Sequence, residues 1–587
     1  MSNEKIINIL VPELGDNINV AEIFVTVNQH IKKDESIAIL ETDKASVEIP
    51  ATCDGIIKEI RVKVGDKLQE NSLIVSILAE SDKNNISVTE SGIINDNSTQ
   101  EHKTNNTAYN NDYKNLISCD VVVLGSGPGG YTAAFRLADL GKKVILLEQY
   151  DTLGGVCLNV GCIPSKALLH LAKVTNDALA IKSHGIEFSL LNIDATKINN
   201  FKKNVVSQLT KGLQNLANKR NVTVIRAYGR FLDDNHIEAK AQNGDIQNIH
   251  FKNAIIAAGS HAFIPDVFKT QDPRIITSTG ALNITDIPKK LLILGAGIIG
   301  LEMAEVYASF GSSVTIVEMG SQLIANCDRD LVNILETKIK KHYAAIYTNT
   351  KCENLIFAED GVYVDLIGTD VQQLAQRFDK ILIATGRRPN GFKLGLENTN
   401  VYVDKKAFIP VNNKCQTNIP HIYAIGDIVG NPMLAHKASY EAKIAAQNCA
   451  NIESFFDAKA IPSVAYTDPE IAWVGLTEID AKNLKIDIEI GKFPWAASGR
   501  AIASDATHGL TKIISCKHTK KILGGGIVGM GAGELIAEIT LAIEMSADIH
   551  DLSLTIHAHP TLSESVLMAS EIIDGTITDL YMPKKKK

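Results

Sequence analysis

Residues 6–79 alternate apolar and polar positions in short runs broken by turn residues, the period of strands with one buried face. A repeat at an offset of 37 runs through them: Glu22-Ile23-Phe24-Val25-Thr26-Val27 matches Glu59-Ile60-Arg61-Val62-Lys63-Val64. Asn28 then falls opposite Gly65, both residue types tolerant of positive φ. The repeat predicts a small all-β sandwich of two facing sheets over 1–80, with Glu41-Thr42-Asp43-Lys44-Ala45 at an exposed hairpin tip between its halves. Over 81–116 the periodicity vanishes and Asn, Ser, Thr and charges dominate, as in a disordered linker. As a flexible coil it would span roughly 30 Å root-mean-square, with a maximum on the order of 110 Å.

Folded sequence resumes with the apolar run Cys119 to Leu124. The loop Gly125-Ser126-Gly127-Pro128-Gly129-Gly130, a helix through Leu140 and a second strand, Val144 to Leu147, ending in Glu148, follow. The unit returns at an offset of 170: Leu291 to Leu294, Gly295-Ala296-Gly297-Ile298-Ile299-Gly300, and Val314 to Val317 ending in Glu318. One glycine loop of this form is weak evidence. Two copies, each leaving a strand, opening a helix and reaching an acid 18 residues beyond the last glycine, predict two dinucleotide sites. Gly125, Gly127 and Gly130 would cradle one pyrophosphate, Gly295, Gly297 and Gly300 the other, each at a helix N-terminus. Glu148 and Glu318 would hold adenosine ribose hydroxyls. With Glu318 followed by Met319-Gly320-Ser321 and no arginine before Arg329, the second site favours NAD over NADP.

Just beyond the first unit stand Cys157 and Cys162, four residues between them, flanked by Gly154, Gly155 and Gly161. Two thiols beside a bound dinucleotide can cycle between dithiol and disulfide and hand over two electrons. Pro164 suits the first turn of a helix, so Cys162 should lie near a helix N-terminus, where a thiolate is stabilised. Cys157, in the preceding loop, should be the more accessible sulfur. A formal charge of −8 argues against a nucleic-acid partner. No signal-peptide core and no bilayer-length apolar run are evident, so the chain reads as cytoplasmic, away from membranes. Its nine cysteines are then no structural disulfide scaffold.

The motif around Lys44, with the 37-residue repeat, resembles the lipoyl domain of 2-oxo acid dehydrogenase complexes, implying lipoate on Lys44. Biotinyl domains share the architecture but normally carry methionines beside the lysine, where this chain has Asp43 and Ala45. Four further stretches carry a second resemblance: Gly154 to Lys166, Ala384-Thr385-Gly386-Arg387-Arg388-Pro389-Asn390, Ile425-Gly426-Asp427, and His557-Ala558-His559-Pro560-Thr561-Leu562-Ser563-Glu564. From about residue 117 onward the chain resembles the flavin-dependent pyridine nucleotide–disulfide oxidoreductases, specifically those that oxidise dihydrolipoyl groups.

That resemblance implies an α/β fold of two Rossmann-like domains and an α+β dimerisation domain. The expected segments are 117–265 and 391–460 for FAD, 266–390 for NAD, and 461–587 for dimerisation. It implies that Glu148, Lys166, Gly229, Asp427 and the run Met433, Leu434, Ala435, His436 contact FAD, with Gly386 also at the cofactors. Cys162 would stack on the flavin while Cys157 exchanges with substrate, and Lys166 would pair with Glu302 near the nicotinamide. His559, oriented by Glu564, would be the base acting on the opposite subunit of a homodimer. The reaction implied is oxidation of protein-bound dihydrolipoyl groups with reduction of NAD+. It would serve a 2-oxo acid dehydrogenase complex, pyruvate dehydrogenase being the one expected, beside lipoylated acyltransferase and decarboxylase subunits. Glutathione reductases usually prefer NADPH, against Glu318, and mercuric reductases carry a C-terminal cysteine pair, whereas no cysteine follows Cys516. A metal site from His557 and His559 lacks a third ligand cluster, so no metal is expected.

Overall fold

The computed structural model describes residues 5–11, 18–27, 29–32, 35–41, 46–69, 72–79, 115–189, 192–369 and 374–581. Asn28, Lys44 with its neighbours 42, 43 and 45, residues 81–114 of the expected linker, and the tail from 582 lie outside the described residues. The chain divides into two units, Met1–Tyr109 and Asn110–Lys587.

The first unit is the sandwich its alternation predicts. One antiparallel sheet runs Lys5–Leu10, Leu73–Ala79, Gly55–Ile60, His30–Ile31; the other runs Ser46–Pro50, Ser36–Glu41, Ile18–Ile23, Lys67–Leu68. The sequence repeat reappears as a repeat of register. Ile18 pairs with Leu68 and, 37 residues on, Gly55 with Ile31; Val20 pairs with Leu40 and Ile57 with Ile77. Even the bulges correspond, between Val20 and Glu22 and between Ile57 and Glu59. Ile37 and Ile74, and Leu40 and Ile77, are the same positions of the two halves, and all four are fully buried. Each such side chain contributes about 1.5–3 kcal/mol on leaving water. Lys44 falls between the strands Ser36–Glu41 and Ser46–Pro50, whose closing pair is Glu41–Ser46.

The second unit is built on three principal sheets. The first places Val144–Glu148, Leu116–Leu124, Ile246–Ile256 and Ile422–Ala424 side by side in parallel. Where they run side by side in the core, at Val121–Leu124, Val144–Leu147, Ala254–Ile256 and Ile422–Ala424, these strands are covered on both faces and apolar. The opening strand starts at Leu116, ahead of the apolar run at Cys119, because the long strand Ile246–Ile256 offers partners as far back as Asn248, opposite Leu116. The second sheet holds Ile275–Thr277, Lys380–Ile383, Lys290–Leu294, Ser313–Val317 and Ala345–Tyr347, all parallel. The third, Ser463–Ala465, Glu470–Gly475, Ile522–Gly529, Leu510–Cys516 and Ile488–Pro494, is antiparallel and packs helices Ala532–Glu544 and Glu564–Asp574 against it.

One expectation is corrected here. Residues 155–184 are long and apolar enough to cross a bilayer by length and composition. They form two helices broken at Gly161, Gly155–Val160 and Cys162–Ala180, and then a 3-10 turn. Leu168, Leu169 and Ala172 are buried in the protein core against residues of the second sheet, which accounts for the apolarity.

Helix Ile298–Ser309 is buried on nearly every side and carries Glu305 inside. Burial, with Asp468 nearby, raises its carboxyl to about 7, while Tyr343 and Asn176 donate hydrogen bonds at 3.2 and 2.8 Å. A raised folded-state value stabilises fully below the unfolded value near 4.5 and is lost as pH climbs through about 7. Between pH 4.5 and 8 the native protein should therefore lose on the order of 3 kcal/mol that Glu305→Gln does not lose. Melting temperatures at the two pH values check this, and equal pH dependence of both proteins refutes it.

Candidate functional site

The two glycine loops are built alike. At Gly125 and Gly295 φ is 98° and 103°, and an added Cβ would lie 2.5 Å from a carbonyl oxygen, of Ala257 and Ala384 respectively. At Gly130 and Gly300 a Cβ would fall 1.8 and 2.1 Å from the oxygen of the loop's own first glycine, so only glycine lets the helix pack there. The acids close each loop. Ser126 N–H donates to Glu148 Oε2 at 3.0 Å and Tyr150 N–H to Oε1 at 3.0 Å. In the second copy Ala296 N–H donates to Glu318 Oε2 at 2.8 Å and Gly320 N–H to Oε1 at 2.7 Å. Beyond the expected ribose contact, both carboxylates thus fix loop shape. Ser126 Oγ adds a 2.5 Å bond to Glu148 in the first copy alone, a contact the glycine pattern did not signal.

At Gly127 and Gly297 an added Cβ would meet nothing within 4 Å, because both face a cavity of about 2590 Å³. Small-molecule pockets commonly measure about 300–1,000 Å³, so this one has room for two dinucleotides end to end. Gly229, Gly386, Asp427, Met433, Leu434, Ala435 and His436 all line it, as do Cys157, Cys162, Lys166 and Glu302. Asp427 is held by Ser260 Oγ, and Arg387 secures Ser260 through its Oγ and backbone oxygen, both at 2.7 Å. Backbone donors at open glycines, an anchored acid and an apolar wall suit a flavin dinucleotide at the first loop and a nicotinamide dinucleotide at the second.

The cysteines depart from expectation in one respect. Cys157 lies within the helix Gly155–Val160, and of the two it is Cys162 that is exposed. Left-handed backbone at Gly154 and Gly155 (φ 108° and 56°) turns the chain directly into that helix and tucks Cys157 against the core. Cys162, at the first position of the next helix, faces the cavity. Both thiols are free and within hydrogen-bonding reach of each other. The Cys157 thiol, donating to Cys162, and the Lys166 cation bring Cys162 down to about 7 against the opposing effects of burial and Glu302. Cys157 is pushed upward by that same contact, by burial and by the neighbouring thiolate.

Lys166 Nζ meets Glu302 at 2.8 and 3.0 Å, with Glu302 only 3% exposed. Tyr466, which no sequence signal identified, donates its backbone N–H to Glu302 Oε1 at 3.2 Å and sets its ring 4.4 Å from Lys166 Nζ.

His559 and Glu564 meet at 2.9 Å, Nδ1 to Oε1, and Thr561 N–H donates to the other carboxylate oxygen at 2.7 Å. Against burial, these two contacts hold Glu564 below the usual carboxylate range. His559 is 79% exposed in its side chain and does not line the cavity. His557 is instead buried against Glu538 at 2.7 Å, which raises its value. Among the described residues one group of three carboxylates, Asp328, Asp330 and Glu478, lies close enough for a metal ion. Lys512 Nζ occupies its centre, bonded to all three, and Lys492 adds a second cation.

Residues 119–442 match the family described as pyridine nucleotide-disulphide oxidoreductase, and 461–570 match its dimerisation domain. Residues 7–77 match the biotin- and lipoyl-bearing family described as biotin-requiring enzyme. The chain is 51% identical over 471 residues to the dihydrolipoyl dehydrogenase of Vibrio cholerae, covering 80% of this chain and 99% of that protein. It is 42% identical over 461 residues to that of Geobacillus stearothermophilus, covering 78% of this chain and 97% of the relative. Among solved structures, the flavoprotein disulfide reductase RclA of Escherichia coli, induced by HOCl, superposes with a TM-score of 0.68 at 28% identity, covering 78% of this chain and 99% of that one. LpdA of Mycobacterium tuberculosis shares the fold, with a TM-score of 0.72 at 24% identity, covering 77% and 99%.

Proposed function

This chain belongs to the pyridine nucleotide-disulphide oxidoreductase family, and from that premise we propose that it is a dihydrolipoyl dehydrogenase carrying its own lipoyl domain. The observation that carries the reading is the asymmetry of the two thiols beside the Lys166–Glu302 pair. In the oxidised pair, a substrate thiolate attacks Cys157 Sγ, the S–S bond breaks, and the electron pair leaves on Cys162. The better leaving sulfur is the one of lower pKa, which is Cys162. Cys157 is then the exchanging sulfur, even though it is the less exposed. The second substrate thiol then attacks the mixed disulfide, releasing oxidised lipoyl and a Cys157–Cys162 dithiol. FAD at the first loop supplies a two-electron acceptor for that dithiol and a hydride donor to NAD+ at the second, so one dihydrolipoyl group and one NAD+ give one lipoyl group, NADH and a proton.

His559 takes the first thiol proton, with Glu564 fixing its ring. Because His559 stands outside the cavity that holds the cysteines, we assign it to the disulfide of the opposite protomer in a homodimer. The partners are then the lipoylated acyltransferase and decarboxylase subunits of a 2-oxo acid dehydrogenase complex, and nine free thiols suit a cytoplasmic setting. Lys44 is the lipoyl attachment site. The full chain should form NADH from free dihydrolipoamide with a strong preference for NAD+ over NADP+. Its intact mass, measured from native cells, should show a lipoyl adduct mapping to Lys44. Equal use of NADP+, or a biotinyl mass instead, would contradict the reading.

A further inference from the structure

Tyr466 reaches the reaction centre from the third sheet, at the end of the strand Ser463–Ala465, far in sequence from every residue it touches there. Its backbone N–H and Lys166 Nζ bond the same oxygen of Glu302, at 3.2 and 2.8 Å. Its ring faces the ammonium at 4.4 Å, within the range where the negative face of an aromatic ring attracts a cation. The ring sits in a built slot: a Cβ on Gly533 would come 3.3 Å from Tyr466 Cε1, and Gly533 N–H is fixed by Glu470 Oε2 at 2.9 Å. No hydrogen bond to the Tyr466 hydroxyl occurs among the described residues, so the ring face, not the hydroxyl, makes the contact. Lys166 itself is 34% exposed in its side chain, and with its long stem Glu302 alone leaves it other rotamers.

We propose that Tyr466 is a positioning residue that clamps Lys166 between its ring and Glu302, so that the lysine cation stands where it sustains the Cys162 thiolate. The proposal deepens the dehydrogenase reading and rests on it for its consequence in turnover, but its physical content is the charge state of one sulfur. Lys166 favours the Cys162 thiolate and Glu302 opposes it, so the placement of Nζ between them sets the balance. Other charges face the ring: Glu470 and Glu534 lie near enough to act on Tyr466, and neither depends on the clamp.

The test is the pH dependence of iodoacetamide alkylation at Cys162 in the reduced full-length holoenzyme, read by peptide mass mapping. Tyr466→Phe should superimpose on the native curve. Tyr466→Leu should raise the midpoint by about one pH unit, a roughly tenfold fall in the thiolate-to-thiol ratio at a given pH. Pentafluorophenylalanine at 466 keeps the ring's shape and reverses its charge distribution, so it should shift the midpoint as leucine does. The fluorinated ring keeps the test decisive if the leucine variant fails to fold. A fluorinated variant that titrates like the Phe variant, or a Phe variant displaced as far as Leu, overturns the proposal. Alkylation requires no turnover of dihydrolipoamide, so absence of that activity would count against the function and leave this result standing.

Discussion

Replacement of Cys157 by serine should lower NADH formation from dihydrolipoamide by roughly 10⁴-fold or more, the scale seen when one member of a cooperating catalytic set is removed. Serine is only slightly smaller and keeps a hydrogen-bond donor toward Cys162, so the neighbouring helix should remain folded. Its oxygen cannot form the mixed disulfide, and Cys162 loses the sulfur with which it forms a disulfide. FAD content is the internal control. Cys157 lies outside both glycine loops, so flavin absorbance per chain should be unchanged. Turnover within a tenth of native would remove Cys157 from the reaction. Alkylation of Cys162 in the native reduced protein should be half-maximal near pH 7, since the thiolate is the reactive form and its folded-state value is about 7.

The second large effect concerns the base. His559→Gln should reduce turnover by about 10²–10⁴-fold, the usual contribution of a positioned proton acceptor. Glu564→Gln should cost less, because Thr561 N–H can still orient the side chain that remains. Placement of His559 outside the cavity makes a sharper prediction. Equal mixtures of Cys157→Ser and His559→Gln chains, unfolded and reassembled together, should regain about a quarter of native turnover, since a two-fold dimer of unlike chains has one intact composite site. No recovery, with dimers confirmed by mass, would place histidine and cysteines in the same protomer.

The features most legible in the sequence are those that the backbone imposes on it. Gly130 and Gly300 are written there because a Cβ would collide with the loop's first carbonyl, and the 170-residue offset repeats every such constraint. The strands beside them follow from apolar runs buried on both faces. What escaped was either geometric or remote. Two left-handed glycines before Cys157 read as a loop, yet they begin a helix at once, because positive φ redirects a chain as readily as it loosens it. Residues 155–184 pass for a bilayer span by length and composition, where no such run was expected, yet their apolarity serves the core. Tyr466 lies 300 residues beyond Lys166, just past a three-residue strand with no local signature, and only the fold brings them together. Ser260, which holds Asp427, is silent for the same reason.

The repeated register of the first unit has a topological consequence. Gly55–Ile60, from the second half, pairs with His30–Ile31 of the first, and Ile18–Ile23, from the first, pairs with Lys67–Leu68 of the second. Each sheet therefore draws two strands from each half, and the two halves are interlocked rather than stacked. Severed after residue 41, either fragment would own strands whose ladder partners had departed with its twin. The duplication preserved in this sequence consequently marks one indivisible folding unit, and residues 42–45, where Lys44 sits, form the stretch of chain that joins its two halves.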